Sequence, residues 1–483
     1  MWLVAGRAMT ALAALAALRI STSVLSPHEY GLFAILLTLQ NFCGLFLVNP
    51  IGQYVNRHTH QWHDDGTLIR RLPRYRQYVL ACSALGSLAC VAWAAMHSLP
   101  LRSIAILAVT VGITVFISTW NTIIVSMLNM VGHRLESVLW ACVSAVAGIM
   151  ISWLITHRFP SGAAWYAGQA CGYAIGLVGA NRALRSQLHS ALMQHPMPLL
   201  APGAIRQYVA PLAAATGLLW LLFSGNRLLI EFHWGLAALG TIAVSLVLAS
   251  QMWSVCETLA MQYLFPMYYR RITAASREDG SSAFSDLLNS LGPAYLILGA
   301  TFQICAPSLL LLLTSASYAN ASKIAFLAII LECGRVITNL LGAATQVELQ
   351  MRANILPYAT GAVVQVTGLV VAAKLGGDIH LAMLVLVASS VVTCALMARS
   401  ARNLVSFKID TWRWMAAAGI LTSASALTYL HPIVPTSGGQ ALLLVAAAAA
   451  GSLLLIGGIL WKNSGLIRML DVRLRPVDRV HSS

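Results

Sequence analysis

Arg19–Gly31, RISTSVLSPHEYG, sets a guanidinium inside an apolar helical pattern and then closes the helix at Ser26-Pro27. A charge at membrane depth costs roughly 3 kcal/mol by insertion scales, so it is kept where a cavity or a partner receives it. The middle of the chain repeats the arrangement. Arg227 lies in SGNRLLIEFHWGLAALG, and Gly240 follows it at nearly the spacing that separates Gly31 from Arg19. Two such arginines predict two facing halves and read as a clamp for an anionic group, because the guanidinium fork makes paired bonds to phosphate oxygens.

A chain of 483 residues with 58% hydrophobic and 9% charged residues has too few charges to cover a soluble surface. It reads as an all-α integral membrane protein. Spans of membrane length fall near residues 2–25, 31–55, 77–96, 103–129, 136–156 and 161–180. A second set falls near 207–230, 236–262, 285–315, 322–346, 356–374 and 379–398, and a last pair near 412–430 and 440–461. The expectation is about 14 transmembrane helices. They divide into a six-helix bundle over 1–181, a cytoplasmic linker over 182–206, a second six-helix bundle over 207–400, and an extra pair with a basic tail over 401–483. A break is expected around Pro307.

The net charge of +15 would suggest nucleic acid in a soluble chain. Placing the N-terminus in the cytoplasm instead assigns basic residues to the inner and outer loops at about 22 to 4, the bias that orients polytopic proteins with both ends inside. No nucleic-acid partner is therefore implied, and the charge belongs to the cytoplasmic leaflet. The nine cysteines lie in apolar segments without a CxxC pattern and read as small core residues. The cluster His58, His60, His63, Asp64, Asp65 has metal-ligand types but no metal-site spacing and is expected to be a solvated loop.

A second match supports the repeat: Asn121 precedes Arg134, and Asn339 precedes Arg352, each by thirteen residues. Two halves of like orientation, related by an axis along the membrane normal, place a substrate site near the midplane. Polar stripes mark the faces that line it. At 100° per residue Glu332, Arg335, Asn339 and Gln346 fall within about 60° of one another on the tenth helix. The fourth helix carries Ser118, Asn121, Thr122, Ser126 and Asn129. The second carries Thr38, Asn41, Asn49 and Gln53, and the eighth Gln251, Thr258 and Gln262 with Glu257 further round. The candidate substrate-binding residues are Arg19, Arg227, Arg335, Asn41, Asn121, Asn339 and Gln251. Glu257 and Glu332 are the candidates for coupling to a proton or sodium ion. Amides, hydroxyls and a few cations suit sugars and phosphate. The competing readings are an intrahelical Glu332–Arg335 pair, arginines that reach outward to head groups, and amides that only join helices.

An arginine near the end of the first helix followed by SPHEYGLFAILL resembles the opening of bacterial polysaccharide flippases, where a P-x-E-Y-G-x-Y/F-A-like element joins the first two helices. RQYVAPLAAATGLLWLLFSGNRLLIEFHWGLAALGTIAVSLVLASQ resembles their seventh and eighth helices, and CAPSLLLLLTSASYANA their ninth. That family belongs to the multidrug, oligosaccharidyl-lipid and polysaccharide exporter superfamily. The resemblance implies a MATE-like fold in the bacterial inner membrane and no cofactor. The implied activity is alternating-access transfer of a polyprenyl-diphosphate-linked oligosaccharide to the periplasmic leaflet for surface polysaccharide biosynthesis, beside a polysaccharide polymerase. Arg19 and Arg227 then stand at the family's first- and seventh-helix arginines, with Arg335 a third partner for the diphosphate. The extra helix pair departs from the many relatives that have twelve helices and keeps a lipid II flippase in view. A multidrug or organic-cation antiporter would favour acidic over basic cavity residues, and a polytopic glycosyltransferase or polymerase would need catalytic groups in a long outer loop.

Overall fold

The computed structural model describes residues 2–188, 202–273, 277–347 and 350–461. Parts of the expected linker and the whole basic tail beyond residue 461 lie outside them. The described residues are helical almost throughout. The first spans are α1 (Trp2–Val24), α2 (Pro27–Asn41) running through a π-helical stretch (Phe42–Val48) into α3 (Asn49–Asp64), α4 (Leu68–Met96), α5 (Leu101–Met130), α6 (Arg134–Arg158) and α7 (Gly162–Leu188). Next come α8 (Pro202–Trp220), a second π-helical stretch (Leu221–Gly225) and α9 (Asn226–Tyr263). At Gly235, φ is 80° and ψ 171°, a conformation a residue without Cβ accepts, so α9 breaks there into the end of one span and the whole of the next. Then follow α10 (Phe265–Thr273), α11 (Arg277–Leu313), α12 (Ser322–Gly342), α13 (Ala344–Val347), α14 (Ile355–Lys374), α15 (Ile379–Leu404), α16 (Thr411–Leu430) and α17 (Gly438–Ile459). With α9 divided at Gly235 and the short α10 and α13 set aside, these make the expected fourteen spans. Ten helical stretches among the described residues are long and apolar enough to cross a membrane, as a multi-pass membrane protein requires.

Two local expectations are corrected. No break occurs at Pro307: α11 carries both Pro293 and Pro307 within one continuous helix. The histidine cluster is not a loop either, because α3 continues to Asp64 with Val55, Thr59 and Trp62 on a buried face. His58 stacks between Tyr54 and Trp62, with ring centroids 4.4 and 5.6 Å away, and the Arg71 guanidinium covers Trp62 at 4.6 Å. Apolar and aromatic residues one turn apart supply the face that a polar loop lacks.

The chain packs as two compact units, Met1–Val244 and Ser245–Ser483. In the first, α6 and α7 approach through small residues. A methyl at Gly168 would strike Ser152, one at Gly172 would strike the Gly148 backbone, and one at Gly176 would strike Ser144. Lipid offers helices no hydrophobic gain on pairing, so this close backbone packing is what holds them. In the second unit, α16 and α17 pack on α11. Asn289 of α11 accepts from Trp414 Nε1 at 3.2 Å and from the Asp410 amide at 2.9 Å, and Ser425 donates to Gln303 at 2.8 Å.

Candidate substrate and ion sites

The opening stretch builds a corner. Ser26 caps α2 by accepting from the Glu29 amide, Pro27 occupies the first turn, and the Glu29 carboxylate accepts from the Gly162 amide at 2.8 Å. Tyr30 is buried, with its hydroxyl beside Ser21 and within electrostatic reach of Arg227. Gly31 packs on the Leu236 carbonyl, and Gly240 packs on the Pro27 carbonyl. The spacing match between Arg19–Gly31 and Arg227–Gly240 is thus a reciprocal contact in the first unit. Arg227 is half-buried, whereas the Arg19 side chain is exposed.

A cavity of about 330 Å³ opens in the same unit, lined among others by Asn41, Asn49, Ser118, Thr122, Ser126 and Tyr75. Every polar side chain on its wall is an amide, a hydroxyl or a phenol. The π-helical stretch Phe42–Val48 forms part of the wall. Asn41 and Asn49, one on each side of this stretch, both line the cavity, as their common polar stripe predicts. Gln40 donates to Ser118 across the wall at 3.0 Å. Asn121 is a correction: it is buried away from this cavity and donates to Ser144 of α6 at 3.2 Å, so it joins helices instead of presenting an amide to a ligand. Neither Arg19 nor Arg227 lines this cavity.

The second unit holds a charged cluster. Arg335 binds Glu332 through Nε at 2.6 Å and Glu257 through Nη2 at 2.8 Å, and Asn339 donates to the other Glu257 oxygen at 3.0 Å. Glu257 and Asn339 also line a cavity of about 290 Å³ with Tyr269, Tyr295 and Tyr358. Arg335 as a phosphate partner is therefore corrected: two carboxylates already hold its fork, and the cluster carries a formal charge of −1 when all three groups are ionised. Gln251 is half-buried and outside that lining, and the side chain of Gln346 lies outside the described residues.

Two buried carboxylates escaped the sequence reading, Asp286, which pairs with Arg271 at 2.7 Å, and Glu231. Glu231, 5% exposed, accepts from Trp93 Nε1 at 3.2 Å and meets His97 Nε2 at 2.7 Å. Trp93 and His97 stand four apart at the end of α4, a spacing the sequence displays, but their pairing with a residue more than a hundred positions away it does not.

No protein-family model matches the chain, and no curated protein matches it. Among solved structures, the lipid II flippase MurJ in an inward closed conformation superposes with a TM-score of 0.68 over 96% of this chain and 100% of that one, at 10% identity. The eukaryotic MATE transporter AtDTX14 superposes with a TM-score of 0.47 over 86% of this chain and 89% of that one, at 13% identity. By fold, though not by sequence, the chain is built like the lipid II flippase MurJ.

Proposed function

We propose that the protein is a flippase of the multidrug, oligosaccharidyl-lipid and polysaccharide exporter superfamily. It carries a polyprenyl-diphosphate-linked oligosaccharide from the cytoplasmic to the periplasmic leaflet of the bacterial inner membrane by alternating access. The observation that carries this reading is the 330 Å³ cavity whose polar wall is wholly uncharged, a chemistry suited to sugar hydroxyls and poorly suited to organic cations. The diphosphate falls to Arg19 and Arg227. Arg227 keeps its charge at depth, and the guanidinium fork matches phosphate geometry. Glu257 and Glu332 remain candidates for a coupling proton or sodium ion, competing with Arg335 for their oxygens. A lipid II flippase is the second reading, favoured by the superposition over 96% of the chain. Both readings share a polyprenyl-diphosphate sugar.

Purified protein in proteoliposomes, loaded with either a polyprenyl-diphosphate oligosaccharide or lipid II, decides between them. The first reading expects protein-dependent translocation of the oligosaccharide lipid above that of lipid II. Translocation of neither would overturn both.

A further inference from the structure

The cavity of the first unit has a buried hydrogen-bonding group in its wall that no described residue satisfies. Tyr75 lines it from α4, is 8% exposed, and packs edge-on against Trp120 with ring centroids 6.0 Å apart. Its hydroxyl forms no hydrogen bond with any described residue. Buried hydroxyls are as a rule satisfied, so one left open in a cavity wall points to a ligand. The hydroxyl lies beside Gly52 of α3, which also lines the cavity, and a methyl group there would come within 3.1 Å of the oxygen. The bare Cα keeps that approach open.

The rest of the wall fixes the class of ligand. Asn41, Asn49 and Asn56 set a row of amides along the continuous α2–α3 helix, and Asn41 and Asn56 form no hydrogen bond with another described residue. An amide donates from nitrogen and accepts at oxygen, which matches a sugar hydroxyl that does both. Arg57, Arg74 and Arg76, next in sequence to Asn56 and Tyr75, are exposed and do not line the cavity. A carboxylate entering it would give up water without meeting a cation, and an ammonium would meet no carboxylate. At about 330 Å³ it stands at the lower end of ligand sites, with room for a short saccharide and not for a whole lipid-linked chain.

We propose that this cavity is a subsite for an uncharged sugar and that Tyr75 is its specificity-determining donor, through an O–H···O bond to a sugar hydroxyl at the Gly52 edge. The assignment rests on the flippase reading and deepens it: the arginines take the diphosphate, and this cavity selects among the sugars attached to it.

Two polyprenyl-diphosphate trisaccharides that differ only at C6 of each ring, CH2OH in one and carboxylate in the other, test it with the full-length protein in proteoliposomes. Wild type should translocate the glucose lipid at least about tenfold faster than the glucuronate lipid. Tyr75→Phe keeps the ring against Trp120 and should slow the glucose lipid roughly three- to tenfold. Its melting temperature should be no lower than that of wild type, because the hydroxyl it loses has no protein partner. A merely structural role predicts the reverse, lower stability with an unchanged rate. Asn56→Lys puts a cation in the wall and should narrow the difference between the two lipids at least about threefold, and it decides the matter if Tyr75→Phe does not assemble. Equal wild-type rates for the two lipids, a wild-type glucose rate from Tyr75→Phe, or an unchanged preference in Asn56→Lys overturns the subsite and leaves the flippase reading standing. Translocation of neither lipid by wild type overturns both.

Discussion

Gly31 and Gly240 each lie against a backbone carbonyl four residues before the other, Gly31 on Leu236 and Gly240 on Pro27. The contact is reciprocal, and each side has room for hydrogen but not for a methyl group. Gly31→Ala and Gly240→Ala should each cost about 3 kcal/mol, because the colliding atoms are backbone and cannot rotate away. Thermal unfolding in detergent should show both variants well below wild type. Gly44→Ala, with nothing within 4 Å of the added Cβ, should unfold as wild type does.

The cavity of the first unit separates lining residues from residues that join helices. Asn41→Ala removes a hydrogen-bonding group from the wall and should lower flipping of an oligosaccharide lipid several-fold while leaving stability unchanged. Asn121→Ala leaves the Ser144 hydroxyl without its donor and should cost about 1 kcal/mol of stability, with flipping per folded molecule intact. Paired melting curves and proteoliposome rates distinguish the two, and the opposite pattern would reverse the assignment.

Arg335 is held by two carboxylates and cannot be removed alone. Arg335→Ala leaves Glu257 and Glu332 facing each other without their shared cation and should destabilise the protein by about 3 to 5 kcal/mol. Adding Glu257→Gln and Glu332→Gln should restore much of that loss. If flipping by the Glu257→Gln, Glu332→Gln variant stays at the wild-type rate across imposed pH gradients, neither carboxylate takes part in coupling.

Span number was legible because hydropathy is a local property of the chain. The Arg19–Gly31 and Arg227–Gly240 match was legible for the same reason, as two nearly equal spacings. What the sequence hid depends on contacts between distant segments. Regular winding puts Asn121 on the same face as Ser118 and Thr122, yet Ser144 on the neighbouring helix takes its amide. Glu332 and Arg335 were readable as a pair three apart, but Glu257, brought in from α9, turns that pair into an occupied three-membered cluster. The π-helical stretches at Phe42–Val48 and Leu221–Gly225 have no composition of their own that marks them off from α-helix.

The excess of basic residues, about 22 to 4, predicts that both ends face the cytoplasm. Reporter fusions at His431 and Ser483 should be active on the outer and the cytoplasmic side, respectively. An exported reporter at Ser483 would mean that the number of spans is odd.

The central claim is that Arg19 and Arg227 hold an anionic head group during transfer. Lys keeps the charge but not the paired geometry, so Arg227→Lys should retain part of the activity. Arg227→Ala removes a charge-assisted contact of about 1.5 to 3 kcal/mol, equivalent to roughly a tenfold or greater loss in rate. The most direct measurement is the flipping rate of a polyprenyl-diphosphate oligosaccharide by Arg19→Ala and Arg227→Ala, reconstituted at matched amounts beside wild type. The account predicts that each is slowed at least about tenfold with normal assembly; wild-type rates from both would contradict it.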